Sequence, residues 1–404
     1  MDYVVKSGSA CSHTFQSSMG VLAGDTLSPS LWNMYFSDCS VPDHPDDVVW
    51  MGRHVSHIEH ADDVALFSTS PEGLQHALDN LHAWCASNFM TITVHKTHLW
   101  TSIPLDTENV PSLFAGASVL FYVYEYNFIG TRFDCRDSYI FSKHITVKSV
   151  KARTVKDVLC AQMENKCGSF PPRQARKIFF GRIDPYLIAG CEVILDVGSR
   201  TTASLEAVLL DFWRRVLGVH EKSTVAFLYA ETGITPLPYR RLLLALRFCR
   251  YLLLLPDRHY GHLALDVALD LARRGKPSWM SDLLHVCHRL APAVHINWRS
   301  TVSPEYIDDV MDAIKLAAKA SLTAIIDCSP KARLLRGFYS DIPLPSSLSP
   351  WMDKCPELLS FKSYLDLPIP AHRKAITRLL MSSHILGIEV LRWRERYRKL
   401  VPRK

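Results

Sequence analysis

Asp62 and Asp63 stand side by side in the stretch His57-Ile58-Glu59-His60-Ala61-Asp62-Asp63-Val64-Ala65-Leu66-Phe67-Ser68. The stretch reads as strand, tight turn, strand, with apolar strand formers after the turn. Two carboxylates at the tip of a hairpin repel each other and need a counter-charge. A hard divalent cation supplies one, since Mg²⁺ takes oxygen ligands and often needs only one or two carboxylates plus substrate phosphates. An isolated Asp-Asp pair is more often a solvated turn, so the neighbouring stretches decide between the two readings. A second pair, Asp46-Asp47, lies in the Pro- and Asp-rich segment 40–50 and reads as turn chemistry.

The elements that must position Asp62 and Asp63 follow from pattern. Tyr3-Val4-Val5, Lys6-Ser7-Gly8-Ser9 and Phe15 predict a short hairpin with a glycine turn. Gly20 and Gly24 permit an unusual φ or a backbone close to a ligand. Ser28-Pro29 opens a helix, Ser as N-cap and Pro at the first helical position, with Leu31, Met34 and Tyr35 on one face. Ser70-Pro71-Glu72 starts the next helix. Its stripe of Leu74, Leu78, Leu81 and Cys85, with Ala77 and Trp84 alongside, is expected to pack on the sheet that carries Asp62. Phe89–Val94 reads as a returning strand that leads to Lys96, and Val119–Phe133 as an aromatic-rich hairpin.

From Ser142 the pattern turns helical, with lysines and arginines interleaved among Ile145, Val150, Val155, Val158 and Leu159. Leu205–Leu217 is amphipathic and should stop at Gly218. The longest apolar run, Leu242–Leu255, is interrupted by Arg247 and Arg250 and is too short to span a bilayer. It reads as a buried helix. The Pro-rich segments 343–350 and 367–370 read as linkers. His372 to Lys404 reads as a basic helix whose aromatics lie between arginines, suited either to nucleic acid or to a partner or membrane surface.

Charge is unevenly spread. The chain of 404 residues carries net +6. Residues 1–135 hold 4 Lys/Arg against 15 Asp/Glu, and the remainder is +17. An acidic segment around a metal site, followed by a basic one, suits a protein that grips phosphate backbones with its second part. Solvated helix faces are the other explanation of the same residues, and the asymmetry counts against it. The 11 cysteines, widely spaced and without a C-x-x-C, predict reduced thiols in an intracellular protein. No signal sequence is evident at the N-terminus.

The motifs together carry a resemblance. Ala61-Asp62-Asp63 with its apolar arms resembles motif C of reverse transcriptases. Gly20-Val21-Leu22-Ala23-Gly24-Asp25-Thr26-Leu27-Ser28-Pro29-Ser30-Leu31-Trp32-Asn33-Met34-Tyr35 resembles motif B. Phe89-Met90-Thr91-Ile92-Thr93-Val94-His95-Lys96-Thr97 resembles motif D, and Tyr126-Asn127-Phe128-Ile129-Gly130-Thr131-Arg132-Phe133 motif E, the primer grip. Four motifs in order are most similar to non-LTR (LINE-like) retrotransposon polymerases, closely over about the first third of the chain.

The resemblance implies an α+β fold: a partial polymerase palm with a split β-α-β sheet over residues 1–135, a helical thumb over 136–255, and a helical basic C-terminal region over 256–404. It implies RNA-directed DNA polymerase chemistry with Mg²⁺, an RNA template and a DNA primer, no membrane, and a nuclear location where the protein acts on the genome. Asp62 and Asp63 match metal ligands, and Lys96 the motif D lysine that meets the leaving pyrophosphate. Gly20, Gly24, Asp25, Ser28 and Pro29 match the template and nucleotide region, and Phe128 and Gly130 the primer grip. Lys143, Lys148, Lys151, Arg173, Arg392 and Arg394 are candidates for the nucleic-acid backbone.

The departures matter. Ala23 stands where the family usually has Gln, and His60 where it usually has an aromatic. Motif A, which supplies a third carboxylate, finds no match in the 19 residues before Gly20. The sequence therefore reads as a 5′-truncated copy that also lacks fingers and endonuclease, expected to be inactive alone. Two other readings are a non-catalytic nucleic-acid-binding retrotransposon remnant and a helical interaction protein.

Overall fold

A computed structural model describes residues 2–16, 20–21, 24–106, 108, 110–198, 202–294, 296, 302–329, 335, 339 and 357–381. Ala23, the Pro-rich segment 343–350, and Arg392 and Arg394 of the expected basic helix lie outside these residues. The chain divides into two compact units, Met1–Tyr126 and Asn127–Lys404. It is mixed α and β, with most strands in the first unit and most helices in the second.

The first unit opens with nested hairpins. β1 (Asp2–Tyr3) pairs with β4 (Phe15–Gln16), and β2 (Lys6–Ser7) with β3 (Ala10–Cys11) inside them. Gly8, at φ +63°, makes the inner turn, as its position in the sequence predicts. α1 spans Ser28–Phe36. β5 (Val48–Trp50) and β6 (Arg53–Val55) form one hairpin, and β7 (His57–His60) and β8 (Asp63–Leu66) the next.

α2 spans Pro71–Ser87. The Ser70 hydroxyl accepts the Gly73 N–H at 3.0 Å, so Ser70 is the N-cap that its sequence predicts. Ala77, Leu78, Leu81 and Cys85 are buried along one stripe. Leu78 packs with Leu66 of β8, and Leu81 and Cys85 pack with Phe36, Val64 and Leu66. The helix thus lies on the strand that begins at Asp63. β9 (His98–Leu99), β10 (Phe114–Ala115), β11 (Ser118–Val119) and β12 (Phe121–Tyr122) follow.

Three expectations need correction. Phe89–Val94 is not a strand. α2 ends in a six-residue closing turn: Met90 N–H donates to Cys85 O at 2.8 Å, and Phe89 itself sits at φ +56°. Glycine usually fills that position; the sequence marks the end of the helix at Asn88, but with phenylalanine next it gives no sign of the turn that replaces the strand. The Thr93 carbonyl then collects the N–H groups of Lys96 and Thr97, so Val94–Lys96 is a single 3₁₀ turn. Next, the strands form seven two-stranded sheets among the described residues and not one split β-α-β sheet. Strands of two to four residues joined by tight turns pair mainly with their sequence neighbours; the outer pair of β1 and β4, and β9 with β12, which run parallel, are the exceptions. Finally, Ser28 is the first helical residue of α1, and Leu27 occupies the cap without a side-chain hydrogen bond.

The chain then forms a hairpin of β13 (Glu125–Phe128) and β14 (Thr131–Asp134). The second unit is otherwise helical: α3 (Ser142–Cys167), α4 (Pro172–Ile178), a π turn over Phe179–Ile183, α5 (Asp184–Leu187), α6 (Ala203–Leu217), α7 (Val225–Thr232), α8 (Leu237–Leu253), α9 (Tyr260–Arg273), α10 (Trp279–Leu290), α11 (Pro304–Cys328) and α12 (Pro370–Leu380).

In α6, Leu205, Val208, Leu209, Phe212 and Val216 are buried, and Gly218 ends the helix at φ +66°. Two cores organise the unit. One joins Ile145, Phe179, Phe212, Trp213 and Phe227 with Leu322 and Ile326 of α11. The other joins Leu195 and the α8 leucines with α9, α10 and the first part of α11. Both cores draw residues from either side of position 255. Among the described residues no helix is long and apolar enough to cross a membrane.

Candidate active site

The register of β7 and β8 pairs His60 with Asp63, which leaves Ala61 and Asp62 as a two-residue turn. Ala61 takes φ +55°, the positive φ that such a turn demands at its first central position. Asp62 and Asp63 are both exposed at this tip. Among the described residues neither carboxylate makes a hydrogen bond or an ion pair, so their oxygens are available to a ligand.

The tip is held from below. Trp32 Nε1 of α1 donates to the Ala61 carbonyl at 2.8 Å. Trp32 stacks on Phe36 at 5.6 Å, and Phe36 meets Trp84 of α2 edge-on at 4.8 Å. Trp84 Nε1 in turn donates to Asp38 Oδ1 at 3.0 Å. The Tyr35 hydroxyl donates to Asn88 O. A column of rings therefore links both helices to the turn that carries the carboxylates. Tyr126 faces the same place: burial first, and the Asp63 charge second, raise its pKa.

Gly20 and Gly24 take φ +93° and +87°, with open space where a Cβ would stand. Backbone conformation and not crowding explains these glycines. Asp25 is half-buried, Ser28 buried and Pro29 exposed. Lys96 is exposed on its 3₁₀ turn. It belongs to no strand, and so does not share a sheet with Asp62.

In the second unit Ile129 and Gly130 take φ +47° and +76° between β13 and β14, the two left-handed residues of a type I′ turn. Phe128 is half-buried beside this turn. β14 packs on α3, where the Arg132 N–H donates to His144 Nδ1 at 3.3 Å. Lys143 is exposed at the start of α3. Lys148 is half-buried, and its pKa is lowered by burial first, then by the charges of Lys151 and Arg132. These three form a positive cluster.

Arg173 is committed elsewhere. Its guanidinium grips Asp366 through two hydrogen bonds, Nε to Oδ1 at 2.9 Å and Nη2 to Oδ2, and lies over the Phe361 ring. Other cations are similarly engaged: Lys156 with Asp211, Arg215 with Glu164, Arg240 with Asp184, and buried Arg241 with Asp196. The +17 of the basic segment thus overstates the charge free to meet phosphate.

Sequence reasoning gave no role to Trp32, Tyr126 or Arg132. Trp32 lay inside the motif B match, but only the contact with Ala61, 29 residues on, gives it a purpose. Tyr126 and Arg132 lay inside the motif E match, but only the structure sets Tyr126 near Asp63 and Arg132 beside α3.

Residues 3–133 match the reverse transcriptase (RNA-dependent DNA polymerase) family. Nothing among curated proteins or solved structures matches the chain.

Proposed function

We propose that the first unit is part of an RNA-directed DNA polymerase palm of the non-LTR retrotransposon type. In this reading Asp62 and Asp63 are metal ligands, and the second unit acts as a thumb that holds primer and template. The observation that carries the reading is the Asp62–Asp63 tip: two exposed, unpartnered carboxylates on a strained turn braced by α1, within the stretch matched to the family.

The donor set fits a hard cation, since both side chains offer oxygen and substrate phosphates can supply more. When bound, Mg²⁺ would lower the barrier by neutralising the attacking and leaving oxygens. The chain's own contribution is position. The Trp32 bond fixes the carbonyl between the strands, and the ring column fixes Trp32. Gly20 and Gly24 leave the backbone of the motif B loop open to a template or nucleotide. Lys96 is assigned the proton or charge that the departing pyrophosphate needs. In nucleotide addition the primer 3′-oxygen bonds the α-phosphorus, and the bond to the β-phosphate oxygen breaks.

Polymerase sites of this family use a third carboxylate. Among the described residues Asp62 and Asp63 belong to no group of three potential ligands. β7 and β8 also pair only with each other there, so an outer edge is open to a further strand. We therefore expect this chain alone to bind primer–template without extending it. Nine described cysteines are free thiols, seven of them buried, which favours a reducing compartment, the nucleus where the protein acts on a genome.

The test is primer extension on an RNA template with Mg²⁺, run beside a binding titration. The chain, its Asp62→Ala variant and a chain joined to a segment carrying motif A are compared. Extension is expected only from the joined chain, and should vanish with Asp62→Ala. Extension by the chain alone, lost in Asp62→Ala, would show that no third carboxylate is needed. Extension that ignores Asp62 would remove the assignment. The second reading, a non-catalytic nucleic-acid-binding remnant, is favoured by the Arg132–Lys148–Lys151 cluster. Binding that persists when no added segment restores extension would support it.

A further inference from the structure

One group of side chains apart from the Asp62–Asp63 tip is built like a ligand set. Asp43, Asp47 and His54 each offer a ligand atom, and these atoms lie within 4.8 Å of one another. Asp47 is the centre of the group. Its side chain is only 1% exposed. Oδ2 accepts the His44 N–H at 2.8 Å, but Oδ1 is buried with no hydrogen-bond partner. His54 Nδ1 is 3.4 Å from Asp47 Oδ2, and it too is buried without a hydrogen bond. A buried polar atom left unsatisfied destabilises the fold, because it loses its bond to water and gains none in return. Two orphaned atoms in one cluster point to a missing common partner.

The frame around the group is rigid. β5 and β6 pair Val48 with Val55 and Val49 with His54. Asp47 and His54 are therefore diagonal neighbours on one face of the hairpin. The Asp47 N–H closes a turn onto His44 O at 3.0 Å. Asp46, the preceding residue, is bolted to the start of α2. Its carbonyl accepts Thr69 N–H at 2.8 Å, Thr69 Oγ1 at 2.9 Å and Ser68 Oγ at 3.0 Å, and its carboxylate accepts the Ser70 hydroxyl. The Asp46-Asp47 pair is thus no solvated turn. One carboxylate anchors a helix, and the other is buried in the cluster.

We propose that Asp43, Asp47 and His54 bind a divalent first-row transition ion, Zn²⁺ being the best fit, at a site separate from the Asp62–Asp63 tip. An imidazole nitrogen beside two carboxylates suits Zn²⁺ better than Mg²⁺, which prefers oxygen alone. A cation would satisfy Asp47 Oδ1 and His54 Nδ1 and neutralise two carboxylates held close together. Phe67 N–H donates to Ser56 O at 2.7 Å, so the cluster sits near the open end of the β7–β8 hairpin. The tip is about 16 Å away, five residues along an extended strand. The bound ion clamps the 43–47 turn to β6 and so steadies the base of that hairpin. Buried thiols offer it little competition, because burial pushes Cys191, Cys249 and Cys287 up to about 12 and thiolate is the binding form. This inference stands whether or not the chain is a polymerase.

The experiment is calorimetric titration of the full, chelator-treated chain with Zn²⁺, with Co²⁺ absorption as a second probe. Wild type is compared with Asp43→Asn, His54→Gln and the double variant Asp62→Asn/Asp63→Asn. Asp43 is exposed, so its variant keeps the fold, checked by circular dichroism. If His54→Gln does not fold, Asp43→Asn decides alone. Wild type should bind one Zn²⁺ that millimolar Mg²⁺ does not displace, and loss of a ligand should weaken it about tenfold or more. The double variant should bind like wild type. No Zn²⁺ binding by wild type, binding that Asp43→Asn leaves unchanged, or binding lost in the double variant would each overturn the proposal.

Discussion

Ala61 holds φ +55° between two paired strands, a region that costs a residue with a Cβ about 1 kcal/mol or more. Glycine pays no such penalty. Ala61→Gly should therefore stabilise the first unit by about 1 kcal/mol, seen as a shifted urea midpoint with unchanged slope. A fall in stability would mean that the alanine methyl packs in a way that offsets the strain. The tip was legible because the alternation on both sides of Asp62-Asp63 allows only a hairpin. The strain was not, because Ala-Asp gives no sign of a left-handed residue. Asp47 was illegible for a different reason. Its burial comes from Ser68, Thr69 and Ser70 fastening the residue before it, more than 20 positions on, while Asp-Asp just after Pro42 and Pro45 looks locally like any exposed turn.

Helix α3 and the Arg173 pair make opposite predictions from the same residue types. Lys148 meets the like charges of Lys151 and Arg132, so an anion beside the two lysines would relieve it. Arg173 already has its anion in Asp366. Lys148→Ala/Lys151→Ala should weaken primer–template binding and lower the magnitude of the slope of log K against log salt by about 2. Arg173→Ala should leave that slope unchanged. Fluorescence anisotropy across a salt series measures both, and a slope change for Arg173→Ala alone would reverse the assignment. Sequence gave these cations equal standing because the partner of Arg173 lies 193 residues away. The helices themselves were readable: α2 and α6 carry their caps and stripes in plain view. The Phe89–Lys96 segment was not, since the left-handed residue just past the Asn88 cap is Phe89 and not glycine.

At the scale of the whole second unit, a buried carboxylate ties distant segments together. Glu231 of α7 accepts the Tyr339 hydroxyl, and its carbonyl accepts the Lys362 N–H at 3.1 Å. Burial raises its pKa above the ordinary glutamate value, and the Tyr339 hydrogen bond offsets part of that rise. The folded chain thus holds a proton that the unfolded chain releases. Stability from this group is fully present below the ordinary glutamate pKa of about 4.3 and is lost as pH rises through the raised value. Glu231→Gln should flatten that fall and make the protein more stable than wild type at neutral pH, read from melting temperature against pH. A steeper fall would show that the carboxylate is the favoured form. None of this was legible in the sequence, where Glu231-Thr232-Gly233 only leads toward the buried helix that follows.

Helix α11 has one further consequence. Ile307, Val310, Met311, Ile314 and Ala318 lie in one core of the second unit, and Leu322 and Ile326 lie in the other. A single rod is therefore a wall of both rooms. Neither core can open without exposing apolar residues that the helix owes to it, and the helix cannot fray from the middle. Amide hydrogens near Ala318 should exchange with deuterium only when the whole unit opens, at the slowest rate in the chain. A protease nick between the two cores would leave α11 with one wall missing, and each fragment would carry a bare apolar stripe into solution.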